Sequence, residues 1–212
     1  MKLFAITLLA FSLFSGLNAF AHPVSFKSSV GIMGFHSPAI SHNQLNYSFK
    51  HWFATGVHHI RRPNLKNKSA TFASTNFLIK RWNGDALQAN LYALVGAGVS
   101  ELGADSETSG FGSLQFDIED RDYYFLAKHA RVFNKNGTDL EQTIVRAGLS
   151  PYVVGYDGLH SWLILEWQDA EFSDGFDILD VTPFIRLFYK NLLFEVGQSF
   201  KGVTRFNYIT HF

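Results

Sequence analysis

Ten charged side chains of this 212-residue chain fall in stretches where polar and apolar residues take turns: Lys27, Lys80, Asp117, Glu119, Arg146, Glu166, Asp180, Arg186, Glu195 and Arg205. Five are basic and five acidic. Charges of both signs on one face can do either of two things. They can line a polar passage and orient a solute, or they can pair with one another and brace or plug the space they share. A ring of one sign would signal ion selectivity, and the pattern contains no such ring.

Histidine is the other reactive type, with nine copies. His58 and His59 are adjacent, so on a strand they point to opposite faces and cannot chelate one metal together. His36 and His42 flank a loop, but no acidic or cysteine partner lies near them in sequence. The expectation is no metal and no cofactor. Ser37 lies beside His36, and a nucleophilic serine needs a positioned base, which His42 could supply. Ser37-Pro38 is equally an ordinary turn start. Gly96-Ala97-Gly98 has no Lys-Ser/Thr after it, so it is no phosphate loop. Within a strand it reads as a place of close backbone approach or curvature.

The elements that carry these residues are strands. Leu114, Phe116 and Ile118 alternate with Ser113, Gln115, Asp117 and Glu119. Val181, Ile185 and Leu187 alternate with Asp180, Thr182 and Arg186. Such period-two runs recur along the chain, and no segment shows a helical stripe. Polar clusters divide them, alternately short and longer. Short breaks fall at 50–51, 82–85, 120–121, 154–158 and 190–191. Longer ones fall at 37–42, 63–68, 101–109, 135–139 and 169–177. The spacing predicts twelve strands, near 24–36, 43–49, 52–62, 69–81, 86–100, 110–119, 122–134, 140–153, 159–168, 178–189, 192–200 and 203–212. Ten is the alternative if residues 22–42 lie outside the wall. Twelve spanning strands of roughly 10 residues use about 120 and leave about 70 for their connections. The strand over 122–134 fits either face poorly, because Lys128 falls on one face and His129 and Arg131 on the other.

Composition narrows the class. The chain has no cysteine, which excludes disulfides, thiol nucleophiles and a lipidated N-terminal cysteine. Lys+Arg and Asp+Glu both number 18, against a nucleic-acid partner. Aromatic residues make up 16%, a load that suits aromatic girdles at two interfaces. Lys2, an apolar run over 3–14 and Ala19-Phe20-Ala21 read as a signal peptide cleaved after Ala21. Residues 1–21 are thus a signal peptide and 22–212 one barrel domain. No later apolar run approaches the ~20 residues of a spanning helix.

The last strand reads Val-Thr-Arg-Phe-Asn-Tyr-Ile-Thr-His-Phe. Thr204, Phe206, Tyr208, Thr210 and Phe212 share one face, and Arg205, Asn207 and His211 the other. An aromatic face ending in a C-terminal Phe resembles the signal that Gram-negative outer-membrane β-barrel proteins present to their assembly machinery. Phe206, Tyr208 and Phe212 match it. The resemblance implies an all-β, transmembrane, antiparallel up-and-down barrel in the outer membrane. It also implies outer-membrane lipid, the barrel-assembly machinery and periplasmic chaperones as partners. The ten charges then face the lumen, because a charge on the lipid face at mid-depth costs a few kcal/mol. The functional expectation is a channel or transport barrel that passes or binds small polar solutes. A lipid-modifying hydrolase and a closed structural barrel are the alternatives.

Overall fold

The computed structural model describes residues 22–66, 68–103, 105–152 and 158–212. The proposed signal peptide, residues 1–21, lies outside them. Twelve strands form one closed antiparallel barrel in which each pairs with its neighbours in sequence. They are β1 Ser29–His36, β2 Ser41–Lys50, β3 Phe53–Arg61, β4 Ser69–Asn83, β5 Gln88–Ser100, β6 Glu107–Glu119, β7 Tyr123–Asn134, β8 Gly137–Leu149, β9 His160–Phe172, β10 Asp177–Tyr189, β11 Leu192–Gln198 and β12 Thr204–His211. Strands β1 and β12 close the ring through the Gly31–His36 and Phe206–His211 register. Two backbone bonds finish the seam, Val30 N–H to Phe212 O at 2.9 Å and Phe212 N–H to Val30 O at 2.8 Å. Closure leaves no sheet edge, so every strand meets its hydrogen-bonding demand within the wall.

Alternation sorts the side chains. Leu163, Leu165, Ile185, Phe194 and Val196 point outward and are exposed, while Ile164, Glu166, Arg186 and Glu195 on the same strands are buried inside. An apolar surface therefore wraps a largely polar interior, the reverse of a water-soluble core.

The wall is uneven. Strands β4 to β10 have 12 to 15 residues, whereas β11, β12, β1, β2 and β3 have 7 to 10. Several expected loops are really strand. Residues 41–42, 107–109, 137–139 and 169–172 continue β2, β6, β8 and β9, and 82–83 continue β4. Their polar residues look like loop in sequence because the strands run past the apolar belt, where outward side chains meet water. The break expected at 154–158 falls between β8 and β9, where residues 153–157 lie outside the described ones. Strand β7 keeps regular alternation through the stretch that seemed ambiguous. Lys128 points in, while His129 and Arg131 point out to Glu141 on β8, at 3.6 and 2.6 Å.

The first strand begins later than expected. Ser28 takes a left-handed φ of 65°, and its N–H bonds Ser48 O at 2.6 Å. That turn sends residues 22–25 into the barrel instead of along its wall, and all four are buried. Gly98 shows why its strand needs glycine. A Cβ there would stand 1.9 Å from Thr71 O of the paired strand β4.

Candidate functional site

The interior divides into three levels. At the terminal end, His22 lies between Asp117 (Nδ1 to Oδ2, 3.6 Å) and Glu119 (Nε2 to Oε1, 3.5 Å). Its ring stacks on Tyr92 at 5.5 Å. Burial pushes the His22 imidazole down, but Asp117 and Glu119 outweigh it, and the net shift is above the ordinary 6.5. Arg81 donates to Asn90 Oδ1 at 2.7 Å, and Asn90 to Asp117 Oδ1 at 2.8 Å. The backbone N–H of Ser25 donates to Ser48 Oγ at 3.0 Å, so the segment is tied to the wall at both ends.

At mid-height five charges interlock. Arg146 reaches Glu166 at 3.1 Å and Glu195 at 2.7 Å. Arg186 meets Glu195 at 2.6 Å, and Arg205 meets Glu166 at 2.7 Å. Each carboxylate is thus shared by two guanidiniums. Asn207 also donates to Glu195 at 2.7 Å, and Arg205 to Thr182 at 3.2 Å. The Arg186 guanidinium lies 4.3 Å over Tyr124, and those of Arg146 and Arg205 face Phe184 at 5.3 and 5.6 Å. A buried charge without such partners would cost several kcal/mol.

Above this belt the lumen turns apolar. Phe72 and Phe111 stack at 5.5 Å and pack with Val132, Leu140 and Phe172. Loop residue Leu102 is wholly buried among them. Arg62 lies over the rings of Phe172 and Phe176, at 4.4 and 4.6 Å, and pairs with Asp174 at 2.5 Å. Lys68 donates to Gly103 O, joining two loops over the same end. Beside the belt, from Pro23 to Ser37 of the β1–β2 turn, remains a cavity of ≈ 80 Å³, room for a handful of waters and far below the roughly 300 Å³ of a typical ligand pocket.

Of the ten charges singled out in sequence, Asp117, Glu119, Arg146, Glu166, Asp180, Arg186, Glu195 and Arg205 belong to inward-facing positions. Asp180 accepts from the Val181 N–H at 2.8 Å. Lys27 and Lys80 do not face the lumen. Lys27 sits on the exposed turn before β1. Lys80 follows a bulge between Leu78 and Lys80, which leaves it exposed and turns Arg81 inward. Phe206 and Tyr208 point outward, with Tyr208 lying over Gly34, where a Cβ would meet its ring at 2.3 Å. Phe212 is exposed just beyond β12.

The other chemical candidates come apart. His42 points inward and its Nε2 lies 3.1 Å from Nδ1 of His58, while His36 stacks outward on Phe206 at 4.6 Å. His36 and His42 therefore do not share a metal, and no group of three potential ligands occurs among the described residues. Ser37 Oγ bonds within its own turn, to Ile40 O at 3.2 Å and from Ile40 N–H at 3.0 Å, and not to His42. His58 and His59 occupy opposite faces, His59 bonding Thr71 outside at 2.9 Å. Reasoning from sequence missed Arg81, Tyr124 and Lys128. The bulge that redirects Arg81 leaves no mark in the pattern. Tyr124, Leu126, Lys128, Ala130 and Val132 share a face too mixed to be recognised as interior.

No family model matches the chain, and no curated protein matches its sequence. Solved structures align with most of the chain. KdgM porin aligns with a TM-score of 0.50 at 12% identity, over 87% of this chain and 98% of that one. KdgM porin in complex with disordered oligogalacturonate aligns at 0.49 and 11%, with the same shares. OmpTdeltaL8, a loop-deletion mutant of an outer-membrane protein of Vibrio cholerae, aligns at 0.34 and 7%, over 87% and 96%. The first of these likenesses establishes the architecture, a twelve-strand barrel like that of KdgM porin.

Proposed function

We propose that the chain is an outer-membrane barrel of the channel and transport class, exported with residues 1–21 removed, which admits small polar solutes through a gated lumen. The observation that carries the reading is the inversion of polarity: exposed Leu163, Leu165 and Ile185 outside, and charged Glu166 and Arg186 inside. A band of apolar side chains around a closed sheet is stable in a bilayer and not in water. The KdgM porin fold supports the same class. Lipid around the wall, and assembly through the aromatic face of β12, complete the proposal.

Residues 22–25 fill one end of the lumen, and the cap around Arg62 and Leu102 lies over the other. Transport then requires one of these to move. Recordings from the purified protein in planar bilayers test this. Brief, discrete openings are expected, and they should lengthen when residues 22–25 are deleted. A barrel that passes no current and takes up no solute, with or without that deletion, refutes the proposal. The second reading is a closed structural barrel, favoured by the saturated pairing of Arg146, Arg186 and Arg205 with two carboxylates. It expects silence in both recordings.

A further inference from the structure

We infer that the lumen contains a binding site for a short-chain monocarboxylate, with Lys128 taking its charge. This rests on the transport reading and names the class of solute. The first observation is an imbalance. Around the cavity, the cations Lys128, Arg146, Arg186 and Arg205 face the carboxylates of Glu166 and Glu195. The three arginines occupy both carboxylates. Lys128 makes no ion pair or hydrogen bond among the described residues; its ammonium lies 5.8 Å from the ring of Phe35. Glu166 attracts this ammonium but is already held by Arg146 and Arg205, so an entering carboxylate offsets the cost of enclosing it.

The second observation is the cavity itself, ≈ 80 Å³, with Lys128, Gln44, Gln142, Phe35 and Ile144 in its wall. Gln115, opposite Lys128 in the register, already donates to Asp117 at 3.0 Å. The amides of Gln44 and Gln142 make no hydrogen bond among the described residues, and each has N–H groups for a carboxylate oxygen. Phe35 and Ile144 offer an apolar wall that suits an alkyl stub and would go unused by chloride or phosphate. Size sets the chain length. An apolar cavity of about 150 Å³ accepts benzene, so this one takes roughly three to five heavy atoms, the range of acetate and propionate. Ser37 of the β1–β2 turn also belongs to the wall, so the cavity reaches the barrel rim where the strands are short.

The test is calorimetric titration of the detergent-folded protein with sodium propionate at constant ionic strength. Saturable one-to-one binding is expected, with no competition from 1-propanol or from chloride at equal concentration. Lys128→Met should weaken binding at least tenfold, and Lys128→Arg should keep most of it. Gln142→Leu, a milder change, should weaken it several-fold and guards against misfolding of the methionine variant. Absence of saturable heat, equal competition by chloride, or unchanged affinity in folded Lys128→Met and Gln142→Leu proteins overturns the inference. Bilayer recordings are read separately. Current without propionate binding overturns this inference alone, and binding without current overturns the transport reading.

Discussion

Arg146 on β8 and Glu195 on β11 meet at 2.7 Å although β9 and β10 lie between them in the wall. Their contact spans a chord of the barrel interior and does not follow the sheet. With Arg186 also on Glu195, one carboxylate ties together three strands. Replacing Glu195 by Gln leaves two guanidiniums short of a partner in a site where Glu195 is 1% exposed. Breaking a buried pair from one side costs about 3–5 kcal/mol. Urea unfolding of the reconstituted barrel should show a loss of that order, and a shift under about 1 kcal/mol would mean that water already solvates the site.

The cap predicts an acid-induced opening. Partial burial pushes the Asp174 carboxyl up, but the hydrogen bond and charge of Arg62 outweigh it and hold the group below its ordinary 3.8. A lowered carboxylate contributes stability that is complete above 3.8 and is lost as pH falls through its folded value. Channel openings should therefore become more frequent below about pH 3.8. Asp174→Asn should show that higher frequency at neutral pH and lose the acid response. Equal open probability in both proteins across this range counts against the cap as a gate.

The inner segment predicts the opposite dependence. His22 is raised above 6.5 by Asp117 and Glu119 despite its burial. Its contribution is complete below 6.5 and is lost as pH rises through the higher folded value. Arg81 opposes its protonation, and His211 lies in the same region. Raising the pH well above 6.5 should release residues 22–25 and increase protease cleavage there. His22→Leu should make cleavage independent of pH. If the wild-type segment stays resistant at every pH, His22 is not its latch.

The outer face predicts an asymmetry between two positions. Leu165, midway along β9, is outward and half-exposed. Leu165→Arg places a charge at mid-depth and should cost about 2–4 kcal/mol of folding in bilayers. Arg131 is also outward, but it sits near the far end of β7 beside Glu141. Arg131→Leu should change folding by less than about 1 kcal/mol. Equal effects at both sites would contradict a membrane belt centred on Leu165.

The strand count, and the side of the wall taken by most residues, are legible in the residue order alone. Val181, Ile185 and Leu187 alternate with Asp180, Thr182 and Arg186 because a pleated strand turns successive side chains to opposite faces. That rule acts over two residues and needs no partner. It fails where the chain adds a residue, as at the Leu78–Lys80 bulge, which turned Lys80 out and Arg81 in. It fails again where the chain leaves the wall, as at Ser28, which carried residues 22–25 inside and left Lys27 exposed.

The barrel, its inverted polarity and the presence of opposed charges within it therefore follow from local residue order. Which charges meet is settled only by the three-dimensional fold. The partner of Arg146 depends on strand stagger accumulated over β8 to β11, on the tilt that brings Glu195 to the same height, and on the width of the lumen between them. None of these is a property of neighbouring residues. The same long-range geometry left Lys128 facing a cavity while the arginines took both carboxylates, a distinction that identical alternation along β7 and β8 cannot encode.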